Sequence, residues 1–181
     1  MTPTLRTARL LFRPYGPEDE NVFVELLSDE VVCRWMGQER CSEAEIRTVY
    51  RSILTDVYGK NLFDVWGVWR DGDYVGHAEI KKTGNVDGHE AIVALVRKHW
   101  GQGLGGELVQ GLLTYAADTL GLKEVYGMVG AENTASLALS ERLGFRHVRD
   151  VVSDTGGVTK MLVVSTVKDT PDACGSTHRD R

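Results

Sequence analysis

The chain reads as a mixed α/β domain in which a central, mostly antiparallel sheet carries helices on both faces. Short apolar or alternating stretches lie between turn residues, as strands do, while other segments repeat their apolar residues at helical spacing. The dipeptide Asp71-Gly72 separates two strand-like stretches and marks a two-residue hairpin. Four glycines in the six positions from Gly101 to Gly106 join an apolar strand to a long amphipathic helix.

Taken in order, Arg9-Leu10-Leu11-Phe12-Arg13 forms a first strand, stopped by Pro14. Pro17-Glu18-Asp19 opens a helix that runs to Leu27, with acidic residues in its first turn, where the helix dipole favours them. Ser42-Glu43-Ala44-Glu45 is a capping box. The helix it starts places Ile46, Val49, Tyr50, Ile53, Leu54 and Val57 on one face and is expected to stop at Gly59. Strands over Phe63–Arg70 and Tyr74–Ile80 flank the hairpin, and a third, Glu90–Val96, follows the polar turn Gly84–Gly88. Leu104, Leu108, Leu112, Leu113, Ala116 and Leu120 mark a helix closed by Gly121. A strand over Glu124–Val129, a helix over Asn133–Arg142 stopped by Gly144, and strands over Phe145–Val152 and Thr159–Val167 complete the fold. Residues 1–168 are expected to form one domain, and 169–181 a disordered polar tail.

Bulk properties narrow the function. Twenty-one Lys and Arg against 26 Asp and Glu leave a net charge of −5, which argues against broad nucleic-acid binding. No apolar run reaches the roughly 18–20 residues that span a bilayer, and the N-terminus lacks the apolar core of a signal peptide. The cysteines, Cys33, Cys41 and Cys174, have no short spacing, and the five histidines are scattered. Neither a disulfide framework nor a metal site is expected, and a cytoplasmic location is.

The glycine segment carries the chemistry. Glycines at a strand-to-helix junction leave backbone N–H groups uncovered at the positive end of a helix dipole, an arrangement that binds phosphate or pyrophosphate. No Lys follows them, so this is not a P-loop. Gly101-Gln102-Gly103-Leu104-Gly105-Gly106 does match the dinucleotide pattern G-x-G-x-x-G. It lies past mid-chain, however, and the candidate acid, Glu124, begins the next strand rather than ending it. Context therefore disfavours an NAD-dependent oxidoreductase.

Three segments, in this order, resemble the GNAT superfamily of acyl-CoA-dependent N-acetyltransferases. Trp100-Gly101-Gln102-Gly103-Leu104-Gly105 is similar to its pyrophosphate loop, Asn133-Thr134-Ala135-Ser136 to its N-x-x-S/A element, and Glu141-Arg142-Leu143-Gly144-Phe145 to its E-K-L-G-F ending. The opening Arg9–Pro14 segment, Trp100 and Glu107 narrow the resemblance to the RimJ/RimL-type branch.

The resemblance implies an acetyl-CoA co-substrate, no metal, and direct transfer to a primary amine, either a small molecule or a protein N-terminus. It also implies a homodimer. Trp100, Gly101, Gln102, Gly103, Leu104, Gly105 and Gly106 would hold the pyrophosphate. Leu95 and Val96 would pair with the pantetheine arm and polarise the thioester carbonyl, and Asn133 would bond the arm or a nearby backbone group. Glu90, at the start of the strand beside the acetyl group, is the first candidate base, with Glu79 the second. Many relatives place a thiolate-protonating tyrosine where this chain has Ser140. Ser136, one helical turn away, shares that role as a candidate. His77, His89 and His99 read as surface or loop residues, and Trp66 and Trp69 as core. Trp35 and Met36 fall where relatives shape the acceptor pocket. The rival function is an acyl-CoA-binding module without catalysis.

Overall fold

The computed structural model describes residues 1–36 and 41–167, so the expected tail and Cys174 lie outside the described residues. Eight strands form one sheet: β1 (Leu5–Arg6), β2 (Leu11–Arg13), β3 (Asp64–Arg70), β4 (Asp73–Lys82), β5 (His89–Leu95), β6 (Glu124–Gly130), β7 (Arg146–Val152) and β8 (Val158–Ser165). Their spatial order is β1-β2-β3-β4-β5-β6-β8-β7. Every neighbouring pair is antiparallel except β5 and β6, which are parallel. The helices are α1 (Glu20–Ser28), α2 (Glu30–Trp35), α3 (Glu43–Ser52), the single turn α4 (Tyr58–Lys60), α5 (Leu104–Asp118) and α6 (Thr134–Arg142).

Strand alternation divides the interior into two cores. On one face, Leu104, Leu108 and Leu112 of α5 pack on Phe12, Trp66, Ala78, Ile80 and Val125. On the other, Phe23, Leu26 and Leu27 of α1 and Ile46 and Tyr50 of α3 pack on Tyr15, Trp69, Tyr74 and Ala94. Trp66 and Trp69 are thus core residues, as expected. The hairpin residues Asp71 and Gly72 both have positive φ, 52° and 90°, as a mirror-image turn requires.

Three features depart from the sequence reading. The N-terminal strand is a pair, because Leu5–Arg6 folds back on Leu11–Phe12 through a turn in which the Thr7 amide donates to the Leu10 carbonyl. Residues 30–35 form the additional helix α2, started by Asp29, whose carboxylate accepts from the amides of Val31 and Val32. The helix starting at Glu43 does not end at Gly59. It passes through a π-turn at Ile53–Val57 and stops at Asn61, whose φ is 51°. Tyr58 fixes that extension, because its hydroxyl donates to the Val65 carbonyl and accepts from the Tyr15 amide. Among the described residues no helix is long and apolar enough to cross a membrane.

Candidate active site

The parallel strands β5 and β6 meet at a single register pair, Glu90 opposite Tyr126, and no further pairs join them toward Leu95 and Gly130. The result is a gap in the middle of the sheet. Backbone N–H groups alternate in direction along a strand. Because the Val96 amide donates back to the Val75 carbonyl across β4, those of Leu95 and Val93 point into the gap. Val96 was an expected binding residue, but its N–H is already spent on β4. The Val93 N–H, which the sequence reading passed over, points into the gap beside that of Leu95. The Leu95 carbonyl accepts from the indole N–H of Trp100 at 2.8 Å, which ties the end of β5 to the start of the glycine loop.

The loop leads from a short 3-10 turn, Arg97–His99, into α5. Gly101 and Gly103 both have φ of 72°, in the left-handed region where an L side chain is strained. Among the described residues none of the amides from Gly101 to Gly106 donates to a protein acceptor. Six free donors at the start of a fifteen-residue helix form an anion cradle. Gly105 and Gly106 serve a second purpose, since a Cβ on either would come within 3.3–3.4 Å of Leu139 of α6. The Gln102 side chain faces away from the amides: it accepts from Arg70 and donates to the Lys98 carbonyl.

A staple holds the cradle from behind. Glu107, one turn into α5, accepts from Thr7 Oγ1 at 2.5 Å, from the Arg9 amide at 2.6 Å and from Arg9 Nε at 2.6 Å. The Arg9 guanidinium also donates to the carbonyls of Gln102 and Gly103. Burial opposes ionisation of Glu107, but these bonds and the Arg9 charge outweigh it and hold its pKa down. The pairing joins residues about a hundred positions apart, and no sequence spacing signals it.

Glu90 is 5% exposed at the closed end of the gap. One carboxylate oxygen, Oε2, accepts from Thr83 Oγ1 at 2.8 Å and from Asn85 Nδ2 at 3.3 Å. Among the described residues Oε1 has no hydrogen bond, so the group is oriented with one oxygen uncommitted.

On the same sheet face a chain of buried side chains runs along β4. The Tyr74 and Tyr15 hydroxyls are 2.8 Å apart, the Tyr15 hydroxyl is 3.0 Å from His77 Nδ1, and His77 Nε2 is 2.9 Å from Glu79 Oε1. Lys81 Nζ lies 2.5 Å from Glu79 Oε2, as a charge contact rather than an aligned hydrogen bond. Burial alone would raise the Glu79 carboxyl. The hydrogen bond and charge of His77, with the charge of Lys81, outweigh burial and bring it down to about 2. A carboxylate held that far down is a poor base, which leaves Glu90 ahead of it.

Of the histidines expected at the surface or in loops, His77 is neither, lying within β4 at 2% exposure, and His99 lies in the turn after β5 but is buried at 5% exposure. Alternation points His77 into the second core, stacked on Tyr15 and edge-on to Phe23. Burial, aided by Lys98 and Arg70, pushes the His99 imidazole down. His89 is half-buried.

Asn133 caps α6, with its side-chain oxygen accepting from the Ser136 amide at 3.1 Å. Ser136 and Ser140 are half-buried on one face of that helix. Trp35 and Met36 lie at the end of α2, both half-buried. Among the described residues no three His, Cys, Asp or Glu side chains gather to hold a metal ion.

Comparison with known proteins identifies the family. Residues 9–146 match the family model described as an acetyltransferase (GNAT) domain. An FsC-acetyl coenzyme A-N(2)-transacetylase of Aspergillus fumigatus is 30% identical over 155 residues, covering 81% of this chain and 66% of that longer protein. An uncharacterised N-acetyltransferase of Bacillus subtilis is 26% identical, covering 81% of this chain and 84% of its own. Among solved structures, spermidine N-acetyltransferase from Vibrio cholerae in complex with CoA and spermine superposes with a TM-score of 0.76 at 19% identity. That match covers 88% of this chain and 97% of the other. The chain belongs to the GNAT family of acetyl-CoA-dependent N-acetyltransferases.

Proposed function

We propose that the protein transfers the acetyl group of acetyl-CoA directly to a primary amine within a ternary complex, without a covalent enzyme intermediate. One observation carries this: a gap between β5 and β6 that runs into a cradle of unpaired amides at the start of α5. The amides of residues 101–106 would hold the pyrophosphate. The inward N–H groups of Val93 and Leu95 would pair with the pantetheine arm, and one of them would polarise the thioester carbonyl, a type of contact that contributes about 3–4 kcal/mol when its donor is well placed.

An alkylammonium has a pKa of about 10, so the acceptor must lose a proton before it reacts. Glu90 takes that proton through Oε1, directly or by way of one water. The nitrogen lone pair attacks the thioester carbon, the C–S bond breaks, and its electron pair leaves on sulfur. The sulfur takes the second nitrogen proton, or one passed by Ser136 or Ser140. With Asn133 occupied as a helix cap, its bond to the arm would come from the side-chain amide nitrogen.

We assign the chain to the RimJ/RimL-type branch on its Arg9–Pro14 opening, Trp100 and Glu107. The acceptor is a small-molecule amine or a protein N-terminus. The spermidine enzyme and the N(2)-transacetylase support an amine acceptor, as does the carboxylate-bearing face around Glu90. We place the reaction in the cytoplasm, with the enzyme working as a homodimer.

Thiol release from acetyl-CoA across a panel of amines tests the proposal. At least one amine should drive release that depends on both substrates. Tight acetyl-CoA binding with no release on any amine or N-terminal peptide would instead support the catalytically silent binding module.

A further inference from the structure

On the acceptor face, the chain fills an ammonium site with its own lysine. Lys81 Nζ sits 2.5 Å from Glu79 Oε2 and 4.9 Å from the centre of the Phe63 ring. A carboxylate shielded from water and an aromatic face are the two groups that together bind an alkylammonium. The carboxylate is held from its other side by His77, itself fixed through Tyr15 to Tyr74, so it is a built feature rather than a mobile surface charge.

The position of the site bears on the reaction. Across β4 and β5, Glu79 lies opposite Ile92 and Lys81 opposite Glu90. Glu79, Lys81 and Glu90 therefore share one face, and Glu79 and Glu90 are diagonal neighbours. The backbone positions of such diagonal neighbours are about 7–8 Å apart, so a short diamine can reach from one side chain to the other. Without Lys81 the face would present two carboxylates, those of Glu79 and Glu90, to an added cation.

We propose that Lys81 determines acceptor specificity: by occupying Glu79 it denies that carboxylate to the second ammonium of a diamine, and so selects acceptors with a single positive charge near the reacting nitrogen. The inference rests on the amine-acetylation reading of the same cleft. Lys81 is 26% exposed on its side chain, so an added cation can reach the position once the lysine is removed.

The test compares 1-aminopentane with 1,5-diaminopentane in the thiol-release assay, using wild type, Lys81→Met, Lys81→Arg and the double variant Glu79→Gln/Lys81→Met. Wild type should use the two amines with similar kcat/KM, after allowance for the diamine's two equivalent nitrogens. Lys81→Met should shift the ratio toward the diamine by about tenfold or more through KM, the scale of one charge-assisted hydrogen bond. Lys81→Arg should keep the wild-type ratio, and the double variant should lose the gain. Where Met impairs folding, Lys81→Gln keeps a donor for Glu79 and should move the ratio in the same direction by less.

Calorimetric binding of 1,5-diaminopentane to the same variants gives a readout without turnover, and Lys81→Met should bind it about tenfold more tightly than wild type. An unchanged amine ratio together with unchanged diamine binding in folded Lys81→Met would overturn the proposal while leaving amine acetylation intact. Tighter diamine binding with no thiol release on these two amines or on any amine or N-terminal peptide of the wider panel would sustain the role of Lys81 and overturn the acetyl-transfer reading instead.

Discussion

From Val93 to Gly106 the site is built of backbone: inward N–H groups on β5 and the unpaired amides of residues 101–106. On the face that bears Glu90 it is built of side chains: Tyr15 together with Tyr74, His77, Glu79 and Lys81 of β4, in one connected row. In the proposed reading the backbone region binds the parts that every acyl-CoA shares. The side-chain region differs in kind, because its charged end at Glu79 and Lys81 offers groups that can discriminate between amines. The two regions should therefore respond differently to mutation.

The largest expected effect is on the backbone side. Gly103→Glu places a strained side chain and a negative charge beside the anion cradle, and it should weaken acetyl-CoA binding by about a hundredfold or more. Calorimetry on a variant with a wild-type circular dichroism spectrum checks this. Glu90→Gln should separate binding from chemistry. Its kcat should fall about a hundredfold, within the usual range for losing a general base, while its affinity for acetyl-CoA stays within about twofold of wild type. Loss of both together would place Glu90 in the donor site rather than beside the acceptor.

The third prediction concerns stability and pH. The folded Glu79 pKa, about 2, lies below the ordinary value of 4.5. The stability it contributes is complete above pH 4.5 and is lost as pH falls toward 2. At neutral pH that contribution is on the order of a few kcal/mol. Acid titration followed by near-ultraviolet circular dichroism should show a shallower loss in Glu79→Gln than in wild type across that window. Equal slopes would mean that Glu79 is not held ionised by His77 and Lys81.

The smallest expected effect returns to the glycine loop. Gln102→Ala removes a side chain committed to Arg70 and the Lys98 carbonyl, so acetyl-CoA affinity should change by no more than about threefold. A large loss would show that the side chain, and not only the backbone, holds the ligand.

The contrast also explains what the sequence made legible. Local patterns gave the hairpin at Asp71-Gly72, the capping box at Ser42 and the glycine loop, because each is written within a few consecutive residues. Glu90 is legible as a candidate because it lies near the start of the strand that leads to the glycine loop. The Arg9–Glu107 staple, the direction of the Val93 amide and the row from Tyr74 to Lys81 depend on strand register and on contacts far apart in the chain. His77 shows the difficulty most clearly. A histidine two residues before a glutamate looks like a polar strand edge until the register places it against Tyr15 and Phe23. The stop at Asn61 rather than Gly59 has the same origin, since it is set by where the Tyr58 hydroxyl is tied.

The most direct test of the backbone cradle is a paired titration of acetyl-CoA and acetyl-pantetheine, which lacks the pyrophosphate, into wild type and Gly103→Glu. Wild type should bind acetyl-CoA far more tightly than acetyl-pantetheine, and Gly103→Glu should reduce acetyl-CoA to the acetyl-pantetheine level while leaving acetyl-pantetheine unchanged. Equal affinity of wild type for the two ligands, or undiminished acetyl-CoA binding by folded Gly103→Glu, would contradict the assignment of the Gly101–Gly106 amides as the pyrophosphate site.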